Sequence, residues 1–345
     1  MSTKALLVAG GGGVGKTTLS AALGVAAARR GVRTLVVTVD PAKRLADALG
    51  AASLGSEPQP LEDEPNLWAA MLDASASWEA IARRHADPAA ADRLIANPFF
   101  HAATTQFPAS QSYAAAEEAV TFIDARAWEL VVVDTPPAAG GIDFFTAPKA
   151  ITDLVGGRLL RWMTGGNLPG RRFLFDRTAR PVLRIAGTVL GTQLLDQIAQ
   201  FFMDLRTTYD GVRRRAKEIE AHLRSAHTIV VTTADPTPLR EAVRFFRELP
   251  DVARRPEAVV FNRTLPESWI DADPGGLPEP LASNLRRWAA EAHRQQELRA
   301  EFASRYDTLL AVVPWQPEPP TDLDALERLV KASEGLEKLL SAPWA

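Results

Sequence analysis

Cysteine is absent from all 345 residues. That excludes disulfides, thiolate catalysis and cysteine-ligated zinc, and it leaves the compartment open. A strong charge of one sign is also lacking. The formal net charge is −3, so the chain carries no electrostatic footprint for nucleic acid or for an anionic membrane. The run Arg213-Arg214-Arg215 is a local patch, and on a helix such a run is ordinarily a solvated face. No window reaches about 18 apolar residues, which excludes a membrane-spanning helix, and the first residues form a strand and a glycine turn instead of a signal peptide. The expectation is a soluble cytoplasmic protein with no nucleic-acid partner and no stable membrane insertion.

Hydrophobic residues at 46% and charged residues at 23% suit an ordinary globular chain able to bury a sizeable core. Its most informative stretch is Gly10-Gly11-Gly12-Gly13-Val14-Gly15-Lys16-Thr17-Thr18. The apolar run Ala5 to Ala9 feeds this turn and a helix-forming segment, Leu19 to Arg30, follows it. That is the context required of the G-x-x-x-x-G-K-[ST] phosphate loop. Glycines let backbone N–H groups converge on phosphate oxygens, and the helix N-terminus adds partial positive charge. Gly12, Gly13, Val14, Gly15, Lys16, Thr17 and Thr18 are therefore the candidate phosphate contacts of a bound nucleotide. Lys16 is expected on the β- and γ-phosphates and Thr17 on Mg²⁺.

Further strands are expected at Arg33 to Val39, Leu67 to Leu72, Glu129 to Val133, Thr228 to Thr233, Ala258 to Phe261 and Leu309 to Val313. Ser53 to Asn66 reads as a loop. Helices are expected at Ala42 to Leu49, Ser77 to Ala96, Ser112 to Arg126, Pro238 to Leu249, Leu281 to Tyr306 and Leu323 to Leu340, with an aromatic, polar connection from Phe99 to Gln111. About seven strands alternating with helices give an α/β fold with a doubly wound, mostly parallel sheet. We expect one domain over residues 1–345, with a helical layer inserted at about 74–126 and 146–224. Val182 to Leu195 and Phe201-Phe202-Met203 make that layer unusually apolar; core packing is the default reading and a groove for an apolar client the sharper one.

Two strands end in acids. Asp134, closing the run at Glu129 to Val133, matches a Walker B element whose carboxylate holds Mg²⁺ directly or through water. Asp40, ahead of Pro41, either faces the ligand crevice at the carboxyl end of the sheet or caps the helix that follows; both roles are compatible.

The phosphate loop, the segment from Asp40-Pro41-Ala42-Lys43-Arg44 to Leu49, and Asp134-Thr135-Pro136-Pro137 together resemble the ArsA-type family of P-loop ATPases. The similarity extends to Met71-Leu72-Asp73, Ile142-Asp143-Phe144-Phe145, Ala147-Pro148 and Val260-Phe261-Asn262-Arg263. That family includes arsenite-pump ATPases, the ATPase delivering tail-anchored membrane proteins, and bacterial relatives. This chain most resembles bacterial members that pair with a paralogue. The resemblance implies an Mg²⁺-dependent ATPase switching shape as a homodimer or heterodimer. Asp40 would orient the attacking water and join Thr17 and Asp134 around Mg²⁺. Asp143 would sit in switch II. Asn262, with Arg263 beside it, would read adenine, although Asn262 also suits a plain strand-end turn.

Three departures qualify the resemblance. The family loop usually carries a lysine that reaches a partner's phosphates, and here that position is Gly11. The family's metalloid-binding and zinc-binding cysteines are missing, which disfavours arsenite transport. Ala138-Ala139-Gly140-Gly141 lacks the histidine of some relatives. Two functions stay open: a switch that binds apolar client segments of membrane proteins or partner proteins, and a slow regulatory or assembly module in a heterodimer with a paralogous ATPase.

Overall fold

The structure is a computed structural model that describes residues 3–39, 44–106, 108–136, 141–156 and 192–340. Its strands are β1 (Lys4–Gly10), β2 (Thr34–Thr38), β3 (Gln59–Leu61), β4 (Glu64–Met71), β5 (Leu130–Asp134), β6 (His227–Thr232), β7 (Ala258–Thr264) and β8 (Leu309–Pro314). They form one eight-stranded sheet in the order β3-β4-β2-β5-β1-β6-β7-β8. Every neighbouring pair is parallel except β3 with β4. Parallel strands are joined by crossovers that cover both faces, so the inner strands are apolar on both sides. Residues 130–133 and 229–231 are accordingly buried.

The helices are α1 (Lys16–Ala28), α2 (Arg44–Leu49), α3 (Ala74–His85), α4 (Pro88–Ile95), α5 (Pro98–Gln106), α6 (Pro108–Asp124), α7 (Gly141–Gly156), α8 (Thr192–Leu205), α9 (Tyr209–Ser225), α10 (Pro236–Glu248), α11 (Glu279–Tyr306), α12 (Leu323–Lys331) and α13 (Leu336–Leu340). The chain folds as two compact units. One comprises Met1–Leu72, Ala119–Phe145 and Leu223–Ala345; the other comprises Asp73–Glu118 and Thr146–His222.

The first unit holds the sheet. Leu19 and Leu23 of α1, Leu45 of α2, Leu326 of α12 and Leu336 of α13 share one core cluster with Val36, Val132 and Val260 of the sheet. Each fully buried leucine stabilises the fold by about 1.5–3 kcal/mol. The position of α1 is thereby set by apolar packing along its length, and its first turn is left at the carboxyl edge of β1. Arg29, near the other end of α1, pairs with Asp324 at 2.6 Å and with Glu327.

The second unit is helical. Trp78 of α3 donates its Nε1–H to the Ser110 carbonyl at 2.9 Å and stacks obliquely on Tyr113. Glu117 of α6 is buried, with Arg84 at 2.6 Å and Arg215 at 2.7 Å as its counter-charges. Two cations on one buried carboxylate offset its desolvation cost.

Four sequence expectations are corrected. Within Ser53 to Asn66 lie β3 and the start of β4; β3 is a short antiparallel edge strand, the kind of position in a sheet that tolerates a proline such as Pro60. The helix expected over Ser77 to Ala96 is two, α3 and α4, because Pro88 takes the first helical position of α4 behind Asp87. The Phe99 to Gln111 connection is largely helical: Asn97 Oδ1 accepts from the Phe99 N–H at 2.9 Å and Pro98 opens α5, so that pair starts a helix as well as ending one. The last helix breaks into α12 and α13, since Glu334 exchanges backbone hydrogen bonds with Val312 at 2.8 and 2.9 Å and Gly335 turns with φ +79. Of the apolar stretch at 182–195, residues up to 191 lie outside the described residues. Phe201 is buried, and Met203 is exposed.

Candidate active site

β1 ends at Gly10 and α1 begins at Lys16, so residues 11–15 form the loop between them. Gly15 stands at the N-cap of α1 with φ +94, and a Cβ there would collide with the Asn262 amide. Glycine is thus required twice, for the left-handed backbone and for the close neighbour. The first N–H groups of α1 have no intrahelical acceptors and point into the loop, which makes the helix end an anion site.

Lys16 is buried at 7% exposure, and its Nζ donates to the Gly11 carbonyl at 2.9 Å. Beside it, Asp134 is 2% exposed. The Thr17 hydroxyl donates to Asp134 Oδ2 at 2.6 Å, and the Thr38 hydroxyl donates to the same oxygen at 2.8 Å. Sheet register produces this convergence. Thr38 pairs with Asp134 across β2 and β5, and Val8 pairs with Asp134 across β1 and β5. Thr135 then fastens to Val8 through its hydroxyl at 3.0 Å.

Lys16, Thr17, Asp134 and Thr135 line a cavity of about 680 Å³ together with Gly12, Gly13, Arg44, Asp47 and Arg263. A recess of about 170 Å³ adjoins it, sharing Gly15, Thr18 and Arg263 and bounded by Asn262, Trp315 and Gln316. Asn262 Nδ2 donates to the Val14 carbonyl at 2.8 Å, while its Oδ1 accepts from the Arg263 N–H at 2.9 Å. Arg263 is held in the left-handed region at φ +57. Trp315, 52% exposed, lines the recess.

The structure brings Gly12, Gly13, Gly15, Lys16, Thr17, Thr18, Asp134 and Arg263 around one cavity, and Asn262 around its annex. Val14 touches the site through its carbonyl. Asp40 lies outside the described residues. Asp143 is exposed in the first turn of α7, where its charge and that of Glu241 help hold Arg244 above its ordinary pKa, the larger cause being the hydrogen bond from Arg244 to Glu248. Glu241 also fills the space beside Gly11: a Cβ on Gly11 would collide with its carboxylate.

Sequence reasoning missed Thr38, Arg44, Asp47, Glu241 and Trp315. Thr38 was the readable one, as a hydroxyl at the end of a strand flanking Asp134; the others reach the site only through crossovers. Among the described residues no three carboxylate or imidazole side chains converge on a metal cage. The donors suited to a metal are the Thr17 hydroxyl and the Asp134 carboxylate. That sparse oxygen set fits Mg²⁺, which commonly completes its shell with waters and substrate phosphates.

The anion-transporting ATPase family model matches residues 3–332. Among curated proteins, an uncharacterised protein of Streptomyces coelicolor is 31% identical over 330 residues, covering 94% of this chain and 75% of its own length. The ATPase get3 of Aspergillus terreus is 25% identical over 264 residues, 75% of this chain and 73% of that one. A protein of Halobacterium salinarum, provisionally named an arsenical pump-driving ATPase, is 25% identical over 348 residues, and this alignment covers 97% of the chain but 45% of that protein.

Proposed function

This chain belongs to the anion-transporting ATPase family, and from that membership we propose that it binds ATP with Mg²⁺ beside Lys16 and hydrolyses it, as a nucleotide-driven molecular switch in the cytoplasm. The observation that carries the reading is the meeting of Thr17 and Asp134 at 2.6 Å next to a buried lysine, at the wall of a cavity of about 680 Å³. Phosphate oxygens would take the N–H groups at Gly12, Gly13 and the start of α1. Lys16 would exchange the Gly11 carbonyl for the β- and γ-phosphates. Thr17 and Asp134 would hold Mg²⁺, which when bound offsets charge on the transferring phosphate. Asp40, by resemblance, aligns the attacking water, so that catalysis rests on positioning and electrostatics. The annex at Asn262 and Trp315 suits a purine, with an amide for the base edge and an indole for its face.

The switch would work as a dimer. Gly11 offers no side chain to a partner's phosphates and Glu241 fills its flank, which favours pairing with a paralogous ATPase that supplies the cation. The helical unit would then engage a client or a partner protein.

Calorimetric titration with ATP, with and without Mg²⁺, and phosphate release under the same conditions test the proposal. The protein should bind ATP in both conditions, more tightly with Mg²⁺, and release phosphate only with Mg²⁺, and Lys16→Ala should bind none. Wild-type protein that binds no ATP in either condition would sink the reading.

A further inference from the structure

Arg299 of α11 is buried where a leucine or methionine would cost less. Its side chain is 3% exposed; Nη2 donates to Glu267 Oε1 at 2.7 Å, and Nη1 has no hydrogen-bond partner among the described residues. Glu267 is itself 56% exposed. A buried cation with one half-solvated partner recovers little of its desolvation cost, and apolar replacements of such pairs are often neutral or stabilising. Stability therefore does not account for this arginine, and its location does.

Four residues earlier on the same helix, Gln295 Oε1 accepts from the Leu265 N–H at 3.0 Å, and Gln295 Nε2 donates to Glu291 at 3.0 Å, which fixes the amide's orientation. Glu291 is in turn held by Arg294, whose hydrogen bond lowers the Glu291 pKa. Residues four apart lie on one face of a helix. Gln295 and Arg299 thus grip residues 265–267, the chain that leaves β7 directly after Asn262 and Arg263. The same exit is tied to β8 by the Trp315 N–H on the Thr264 carbonyl at 2.8 Å. A non-glycine residue at φ +57, as at Arg263, is strained and persists only where its surroundings over-determine it.

We infer that Gln295 and Arg299 are positioning residues for base recognition: they hold the β7 exit so that Asn262 and Arg263 stay at the recess, and so set the preference for adenine over guanine. The inference rests on the reading that the cavity takes ATP. A side-chain amide discriminates between bases only when its donor and acceptor are fixed in place, because a free amide rotates to satisfy either pattern.

Dissociation constants for ATP, GTP and inorganic tripolyphosphate, measured on wild type, Arg299→Met and Gln295→Leu, test it. Wild type should prefer ATP to GTP. Each variant should lose about tenfold in ATP affinity, the ATP-to-GTP ratio should fall toward one, and tripolyphosphate binding should be kept. A ratio retained in both variants, an equal loss for all three ligands, or a wild type without base preference would overturn the inference. Should Arg299→Met fail to fold, the ratio of Gln295→Leu decides alone. Wild type that bound none of the three would overturn the ATPase reading itself, a different result from any of these.

Discussion

Asn262 reaches from the end of β7 to the carbonyl of Val14, 248 residues away in the chain, and donates to it at 2.8 Å. One amide thereby joins the recess to the glycine loop. Loss of the Asn262 side chain itself would therefore be felt at that loop.

Asn262→Ala should lower ATP affinity by about tenfold or more, since it removes both a recess wall and a hydrogen bond on the loop. It should also weaken tripolyphosphate binding, because the Val14 carbonyl loses its donor. Unchanged tripolyphosphate affinity would show that the loop holds its shape without the amide. Gly15→Ala should be more severe, with binding lost and stability reduced by at least about 1 kcal/mol, measurable by urea unfolding.

Asp134→Asn should separate metal from nucleotide. Thr17 and Thr38 keep an oxygen acceptor, so the strand ends should stay in place, while the charge that would attract Mg²⁺ is gone. We expect ATP binding without Mg²⁺ to survive and the gain from Mg²⁺ to vanish in paired titrations. Asp40→Asn should instead keep binding with Mg²⁺ and stall phosphate release; fast turnover by that variant would remove Asp40 from the mechanism.

Gly11 predicts a dependence on company. A cation supplied in trans to a transferring phosphate is worth on the order of 10³-fold or more in rate. Mixing the protein with a paralogue that carries lysine at the equivalent position should raise phosphate release far above the sum of the separate rates. Simple additivity over a range of mixing ratios would remove the heterodimer from the proposal.

His85 gives the helical unit a pH dependence. Burial lowers its pKa below the ordinary 6.5, and the charges of Arg84, Arg214 and Arg215 lower it further against a weaker opposing pull from Glu218. Its Nε2 is buried without a hydrogen-bond partner among the described residues, and the ring packs on Gly211, where a Cβ would collide with it. The unfolded chain takes the proton at higher pH than the folded one, so stability should fall as pH drops through about 6.5 and keep falling until the lower folded value is passed. Urea midpoints between about pH 7.5 and 5 should show this slope in the wild type, and His85→Gln should flatten its part of it. Equal slopes in both proteins would exclude His85 as the cause.

The loop from Gly10 to Thr18 was readable in advance because its requirements are local: glycines for a tight backbone, lysine and threonine at fixed offsets, an apolar strand before and a helix after. Asp134 was readable for a similar reason, since an apolar run ending in an acid places that acid at the carboxyl end of a strand. The breaks at Pro88 and Gly335 were harder. Their helical periodicity continues on either side, and the interruption depends on Asp87 as a cap and on a backbone exchange between Glu334 and Val312.

Sequence alone determined the parallel α/β class, the glycine loop between β1 and α1 and the acid beside it, because each follows from spacing along a few neighbouring residues. Tertiary structure alone decided that Thr38 and Thr17 share one oxygen of Asp134, that Glu241 fills the flank of Gly11, and that Asn262 clasps Val14. These contacts depend on the order in which β2, β5, β1, β6 and β7 lie side by side. That order is fixed by how whole helices bury their apolar faces on the sheet, a property that no short stretch of the chain contains.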